Sequence, residues 1–253
     1  MKVLLVQPRY TYAKGIPLVV EMPLGLCYIA AVLRQRGHDV RILDCLAEGY
    51  RIKEKTGDKI TYGLPDRRII QKIREFKPQV VGCSALFSIQ YDNARKLCEL
   101  IKKIDPGIIT VMGGMHPTVR PREVLAENAV DFIFQGESDC TLSEFIDAPA
   151  NGSNYSEIDG IGYKDASGLH IKPKGRFIEN LDELPLPARD LLDVNSYFQA
   201  GLAHGFVLKD KRNVNLLTSR GCPGRCIFCT IHLMWAEDLG REARKMSWLN
   251  WSI

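Results

Sequence analysis

An α/β architecture, built on an open and doubly wound parallel sheet, is the fold class this sequence predicts for its first half, on three observations. Strand-like and helix-like segments alternate through residues 1–147. The strand-like runs are short and apolar throughout, as in strands buried on both faces. The helix-like runs carry apolar residues at helical spacing and stop at glycine or proline.

The elements follow in order. Residues 2–7 (KVLLVQ) form the first strand, and residues 8–14 the loop after it. A helix covers residues 24–36 and stops at Gly37; the second strand is 40–43. A helix over 66–76 puts Ile69, Ile70, Ile73 and Phe76 on one stripe and ends before Pro78. The third strand, 80–84, leads to a helix over 91–104, where Ala94, Leu97, Cys98, Ile101 and Ile104 align before the stop at Asp105, Pro106 and Gly107. Strands over 108–113 and 132–134 complete a set that suits flavodoxin-like winding. Residues 148–156, rich in small and polar types, read as a linker. Residues 161–163 and 169–171 form a β-hairpin, joined by 164–168. Pro185 and Pro187 break residues 181–192 into a connector.

Composition narrows the class. The chain has 253 residues, 45% hydrophobic and 25% charged, with a formal net charge of +4. That charge is too mild and too evenly spread to argue for a nucleic-acid partner, and residues 209–212 (KDKR) read as a solvated loop. The longest apolar stretch, 24–33, is too short to span a bilayer. Eight cysteines without a secretory leader point to a reducing compartment, the cytoplasm. Cys27, Cys45, Cys83, Cys98 and Cys140 sit in apolar or helical contexts and read as core thiols.

Two regions carry chemistry. In a doubly wound sheet a ligand sits beyond the carboxyl ends of the strands, which selects residues 8–14, 84–86, 113–117 and 136–138. Paired Gly113 and Gly114 allow close backbone approach to a ligand, or simply make a turn. The second region is residues 220–229, RGCPGRCIFC, where Cys222, Cys226 and Cys229 have the CxxxCxxC spacing that holds a 4Fe-4S cluster with one iron left open. Gly221, Pro223 and Gly224 let the loop curl so that three sulfurs converge. Zinc on the three cysteines plus His232 is an alternative, although structural zinc loops supply paired CxxC thiolates. A redox CxxC at Cys226 and Cys229 would leave Cys222 idle.

The run with its aromatic Phe228 resembles the radical S-adenosylmethionine (SAM) superfamily, whose cluster motif follows the first strand of a partial (β/α)6 barrel; residues 213–219 (NVNLLTS) stand in that strand's place. The first half, with MPLGLCYIAAVLRQRGHDV, VGCSALF, VMGGMHPTVRPREVLAE and FQGES, is similar to the cobalamin-binding domain that precedes the barrel in one large branch of the superfamily. RDLLD and SRGCPGRCIFC match that branch too, so the resemblance covers residues 1–235. It implies a cobalamin-binding-type α/β domain over 1–147, a hairpin and connector over 148–212, and the start of a barrel over 213–253.

The resemblance implies Cys222, Cys226 and Cys229 as ligands of a 4Fe-4S cluster, with SAM on the open iron and Phe228 near its adenine. It implies cobalamin in a cleft lined by Ser84, Leu86, Gly113, Gly114 and His116, with Gly136 and Glu137 at its margin. The DxHxxG motif that offers histidine to cobalt is absent, so bound cobalamin takes no ligand from it. The implied activity is methylation or cyclisation of a small molecule or lipid through a 5'-deoxyadenosyl radical, fed by a donor such as ferredoxin or flavodoxin; it assigns no catalytic side chain.

Only 24 residues follow Cys229, and residues 236–253 depart from the family pattern. The expectation is therefore a truncated or frameshifted product, or the front half of a split enzyme completed by a second chain and inactive alone. A lone barrel strand leaves its ladder unpaired, so the C-terminal segment is expected to be poorly ordered. The alternatives are a non-catalytic cobalamin-binding module, or an iron-sulfur electron carrier with a vestigial barrel fragment.

Overall fold

The structure, a computed structural model, describes residues 1–200 and 212–235 and the backbone of residues 240–241. The expected solvated loop at 209–211 and most of the tail at 236–253 lie outside the described residues. The first strand, β1 (Lys2–Gln7), is followed by β2 (Tyr10–Ala13), α1 (Leu24–Gln35), β3 (Asp39–Asp44), β4 (Lys53–Thr56) and β5 (Lys59–Tyr62). Then come α2 (Asp66–Phe76), β6 (Val80–Ser84), α3 (Tyr91–Ile104), β7 (Ile109–Gly113), α4 (Met115–Val119), α5 (Pro121–Ala126), β8 (Phe132–Phe134) and α6 (Thr141–Asn151). The rest are β9 (Ile161–Asp165), β10 (Gly168–Ile171), α7 (Val194–Ala200), β11 (Ser219–Arg220), α8 (Ile231–Met234) and β12 (Gly240–Arg241).

The main sheet has the order β3-β1-β6-β7-β8-β9-β10. Its first five strands are parallel, in the flavodoxin-like winding expected, and the order reverses between β1 and β6. Alternate residues of each strand face opposite layers. Leu4 and Val6 join Val81, Cys83 and Met112 against Ile69, Ile73, Leu97 and Ile101 of α2 and α3. Val3 and Leu5 join Val40, Ile42 and Val111 against Leu26, Ala30 and Leu33 of α1 and Phe145 of α6. Cys27, Cys45, Cys83 and Cys98 are buried core thiols, whereas Cys140 is only half-buried. Among the described residues, no helix is long and apolar enough to cross a membrane.

Four expectations change. The loop expected over 8–14 contains β2, which pairs antiparallel with β5 in a small sheet ordered β2-β5-β4. The linker expected at 148–156 begins inside α6, which carries Pro149 and stops only at Gly152, in the left-handed conformation at φ 65°. The hairpin does not stand apart: β9 pairs antiparallel with β8, so β9 and β10 extend the main sheet. Finally, residues 213–218 form no strand, and only Ser219–Arg220 pairs, antiparallel, with Gly240–Arg241. Among the described residues no parallel neighbour lies beside 213–218, and an extended segment without a partner cannot close its ladder.

Candidate functional site

The carboxyl edge of the sheet is covered unevenly. Above β1 and β3, the buried residues Val20, Met22, Leu46, Ala47, Tyr62 and Tyr197 form a cap on which Val214 packs. Asn215 ties the C-terminal segment to it: its Nδ2 donates to the Met22 carbonyl at 2.7 Å, and its own carbonyl accepts from Arg189 Nη2 at 3.0 Å. Beneath the cap, the Tyr197 hydroxyl donates to Asp44 Oδ2 at 2.7 Å, while Asp44 Oδ1 accepts the Ala47 N–H at 2.9 Å. Burial pushes the Asp44 carboxyl up to about 6.

Above β6 and β7 the edge is open and apolar. Leu86, Phe87 and Ile89, in the loop after β6, are 44%, 55% and 64% exposed. Gly113 ends β7 with room above it, since a Cβ there would find nothing closer than Ser138 Oγ at 3.9 Å. Gly114 is different. At φ 110° it lies against the backbone of the neighbouring loop, where a Cβ would stand 2.7 Å from the Ala85 carbonyl carbon and oxygen. The two loops are also hydrogen-bonded, Ala85 N–H to the Gly113 carbonyl at 2.8 Å and His116 N–H to the Ala85 carbonyl at 3.1 Å. Gly114 therefore serves close approach of one chain segment to another.

His116, expected in the cleft, is buried. Its ring stacks on Tyr91 with centroids 4.1 Å apart, and Nδ1 lies 3.0 Å from Ser88 Oγ. Burial depresses its pKa and so favours the neutral ring, which props the loop after β6 through Ser88.

The turn after β8 is also fully engaged within the protein. Glu137 and Asp139 are buried and both contact Arg220, which is buried as well. Arg220 Nη1 lies 3.1 Å from Glu137 Oε2 and 2.7 Å from Asp139 Oδ2, and Nη2 lies 3.1 Å from Asp139 Oδ1. Glu137 Oε1 accepts the Ile178 N–H. Burial raises the Glu137 pKa despite these partners; burial alone would lower that of Arg220, but its two carboxylates more than offset this and raise it. No sequence signal marks the role of either Asp139, which adjoins the FQGES run, or Arg220, the first residue of the cysteine motif.

From Arg220 the chain enters the cysteine loop. Gly221 adopts φ 97°, a left-handed turn that favours glycine. Cys222 is half-buried, and Cys226 and Cys229 are exposed, all three free of disulfides. The sulfurs of Cys222 and Cys226 flank Gly224, where a Cβ would stand 3.5 and 4.0 Å from them. Phe228 is 86% exposed. Among the described residues, no three His, Cys, Asp or Glu side chains are drawn together closely enough to hold a metal ion. The expected convergence of three sulfurs is thus not built into this conformation. The donor set still fits an iron-sulfur cluster, because three free thiols lie on a glycine-jointed loop open to solvent. It fits zinc less well: the ring nitrogens of His232, the fourth ligand considered for zinc, are both buried.

A cavity of about 190 Å³ lies elsewhere, between α2 and α3 beside Arg9, Ile69, Asn93 and Leu97. It does not adjoin the cysteine loop.

Comparison with known proteins places this geometry. Residues 18–146 match the B12-binding domain family. The chain is 33% identical over 266 residues to cytidylyl-2-hydroxyethylphosphonate methyltransferase of Streptomyces wedmorensis, an alignment covering 96% of this chain and 50% of the relative. It is 27% identical to the anaerobic magnesium-protoporphyrin IX monomethyl ester cyclase of Rubrivivax gelatinosus, over 97% of this chain and 41% of that protein. The chain thus spans about half the length of the curated relatives it matches. Among solved structures, the cobalamin-dependent S-adenosylmethionine radical enzyme OxsB, with aqua-cobalamin and S-adenosylmethionine bound, superposes with a TM-score of 0.75 at 20% identity, covering 99% of this chain and 31% of that one.

Proposed function

This chain belongs to the B12-binding domain family, and from that premise we propose that it is the cobalamin-carrying front portion of a radical SAM protein that methylates or cyclises a small molecule or lipid. The observation that carries the proposal is the fastening of a three-cysteine loop to the carboxyl edge of a B12-binding sheet, through Arg220, Glu137 and Asp139.

Cobalamin would lie over the open part of that edge, with Ser84, Leu86 and Gly113 at its floor and Phe87 and Ile89 extending the apolar rim. Gly114 and His116 shape the floor from below, and Gly136 and Glu137 belong to the mounting of the cysteine loop. Cys222, Cys226 and Cys229 would hold a 4Fe-4S cluster, and Phe228 offers an exposed ring for the adenine of SAM. The chemistry such cofactors supply is one-electron reductive cleavage of SAM and transfer of a methyl group or closure of a ring at carbon. The share of this chain is to hold them: thiolates for iron, an apolar rim that sheds water, and a rigid edge that sets their separation. An electron donor such as ferredoxin or flavodoxin, a second chain completing the barrel, and a cytoplasmic setting are parts of the same proposal.

Anaerobic reconstitution with iron, sulfide and hydroxocobalamin tests it. The expected result is about four irons and four sulfides per chain, with cobalamin retained on gel filtration. Cys226→Ala should lose most of that iron, because two thiolates hold such a cluster poorly. Colourless material that carries zinc would sink the reading; cobalamin uptake with no iron would leave only a carrier module.

A further inference from the structure

Both ends of the cysteine loop stand on one turn of the sheet edge. At the entry, the Arg220 guanidinium forks onto Asp139 with contacts of 2.7 and 3.1 Å, touches Glu137 at 3.1 Å, and lies 5.1 Å from the centroid of the Tyr28 ring. At the exit, the Met234 carbonyl accepts the Glu137 N–H at 3.1 Å. Gly136, at φ 65°, admits that close pass, since a Cβ there would stand 3.2 Å from the Met234 oxygen and 3.3 Å from that of Leu233. Glu137 thus grips the entry with its side chain and the exit with its backbone.

We propose that Arg220 is a positioning residue, whose two-pronged contact with Asp139 and Glu137 sets the height and direction at which the cysteine loop leaves the sheet edge. The planar guanidinium fixes orientation in a way that a lysine ammonium, a point charge, does not. Buried, the three side chains also exclude most of the water that would otherwise loosen a surface contact. Glu137, which sequence alone put at the margin of the cobalamin cleft, acts through Arg220. The consequence for a cluster rests on the function proposed above; the mounting itself does not.

The full chain and its Arg220→Lys, Arg220→Met and Glu137→Gln variants test this in two arms. Without added cofactors, the rate of trypsin cleavage after exposed Arg225 is read by mass spectrometry. Arg220→Met should be cut at least about tenfold faster than the parent, with Arg220→Lys between them. Glu137→Gln should add little in the Arg220→Met background, because its effect runs through the lost guanidinium. After anaerobic loading with iron and sulfide, Arg220→Lys should keep its iron content and hydroxocobalamin uptake, yet show an altered electron paramagnetic resonance spectrum on addition of SAM. Cleavage of both Arg220 variants at the parental rate would overturn the proposal, as would a Glu137→Gln chain that sheds hydroxocobalamin while its loop stays protected. If the parent takes up no iron, the cluster reading fails, while the cleavage arm still decides the role of Arg220.

Discussion

Asp44 is a carboxyl group held where water cannot reach it, and its hydrogen bonds, from Tyr197, Ala47 and Leu46, do not fully offset that burial. Its pKa rises from 3.8 to about 6. Between those values the folded chain keeps a proton that the unfolded chain has shed, so this group's contribution to stability falls as pH rises through the window. The loss amounts to about 3 kcal/mol across it and persists above. Asp44→Asn keeps an acceptor for Ala47 and a partner for Tyr197 without the charge. Urea unfolding at about pH 4 and about pH 7 should show the variant gaining about 2.4 kcal/mol on the parent over that span; parallel profiles would show that Asp44 is not the titrating group. The sequence revealed which residues sit at the carboxyl edge, but not what each does there. Glu137 and Arg220 lie 83 positions apart, and a pair so distant leaves no local pattern to find.

Among the elements, what was legible follows from periodicity. The strands β1 and β6 and the helices α2 and α3 fall where their apolar spacing puts them, because each buries one face or both in the core. The strand β4, all of whose residues are exposed, has no apolar alternation to betray it. The helices α4 and α5 are too short for a helical period to accumulate, with Pro117 and Pro121 in their first turns. The paired glycines show the difference between seeing a turn and knowing its use. Gly114→Ala forces a side chain into the Ala85 peptide at a backbone angle that only glycine adopts freely, and should cost about 2 kcal/mol or more. Gly113→Ala, with its nearest neighbour at 3.9 Å, should stay within about 0.5 kcal/mol of the parent. Denaturant midpoints of the two variants give the comparison directly, and equal losses would contradict the assignment of Gly114 to loop packing.

For the molecule as a whole, the sequence carried the winding of the sheet and the family resemblance, because both rest on runs of residues close in the chain. It did not carry the joining of the hairpin to the sheet or the seating of residues 212–235 on its edge, which depend on contacts across the fold. A ligand that binds only the folded form stabilises it by mass action. Hydroxocobalamin at about one hundred times its dissociation constant should therefore add about 2.7 kcal/mol to the unfolding free energy. Leu86→Asp, which puts charge on the apolar rim, should cancel most of that gain. A melting curve unmoved by excess hydroxocobalamin would argue that the open edge has another occupant.

The β9–β10 hairpin has one more effect, on how these molecules treat each other. It ends the main sheet with a strand of only four residues, Gly168–Ile171, and the chain beyond it carries Lys172 and Lys174. So short a border gives a neighbouring molecule little to zip onto, while the two lysines are taken up by Glu157 and Asp159 of their own chain. A concentrated solution of this protein is thereby guarded against edge-to-edge fibre growth on that side.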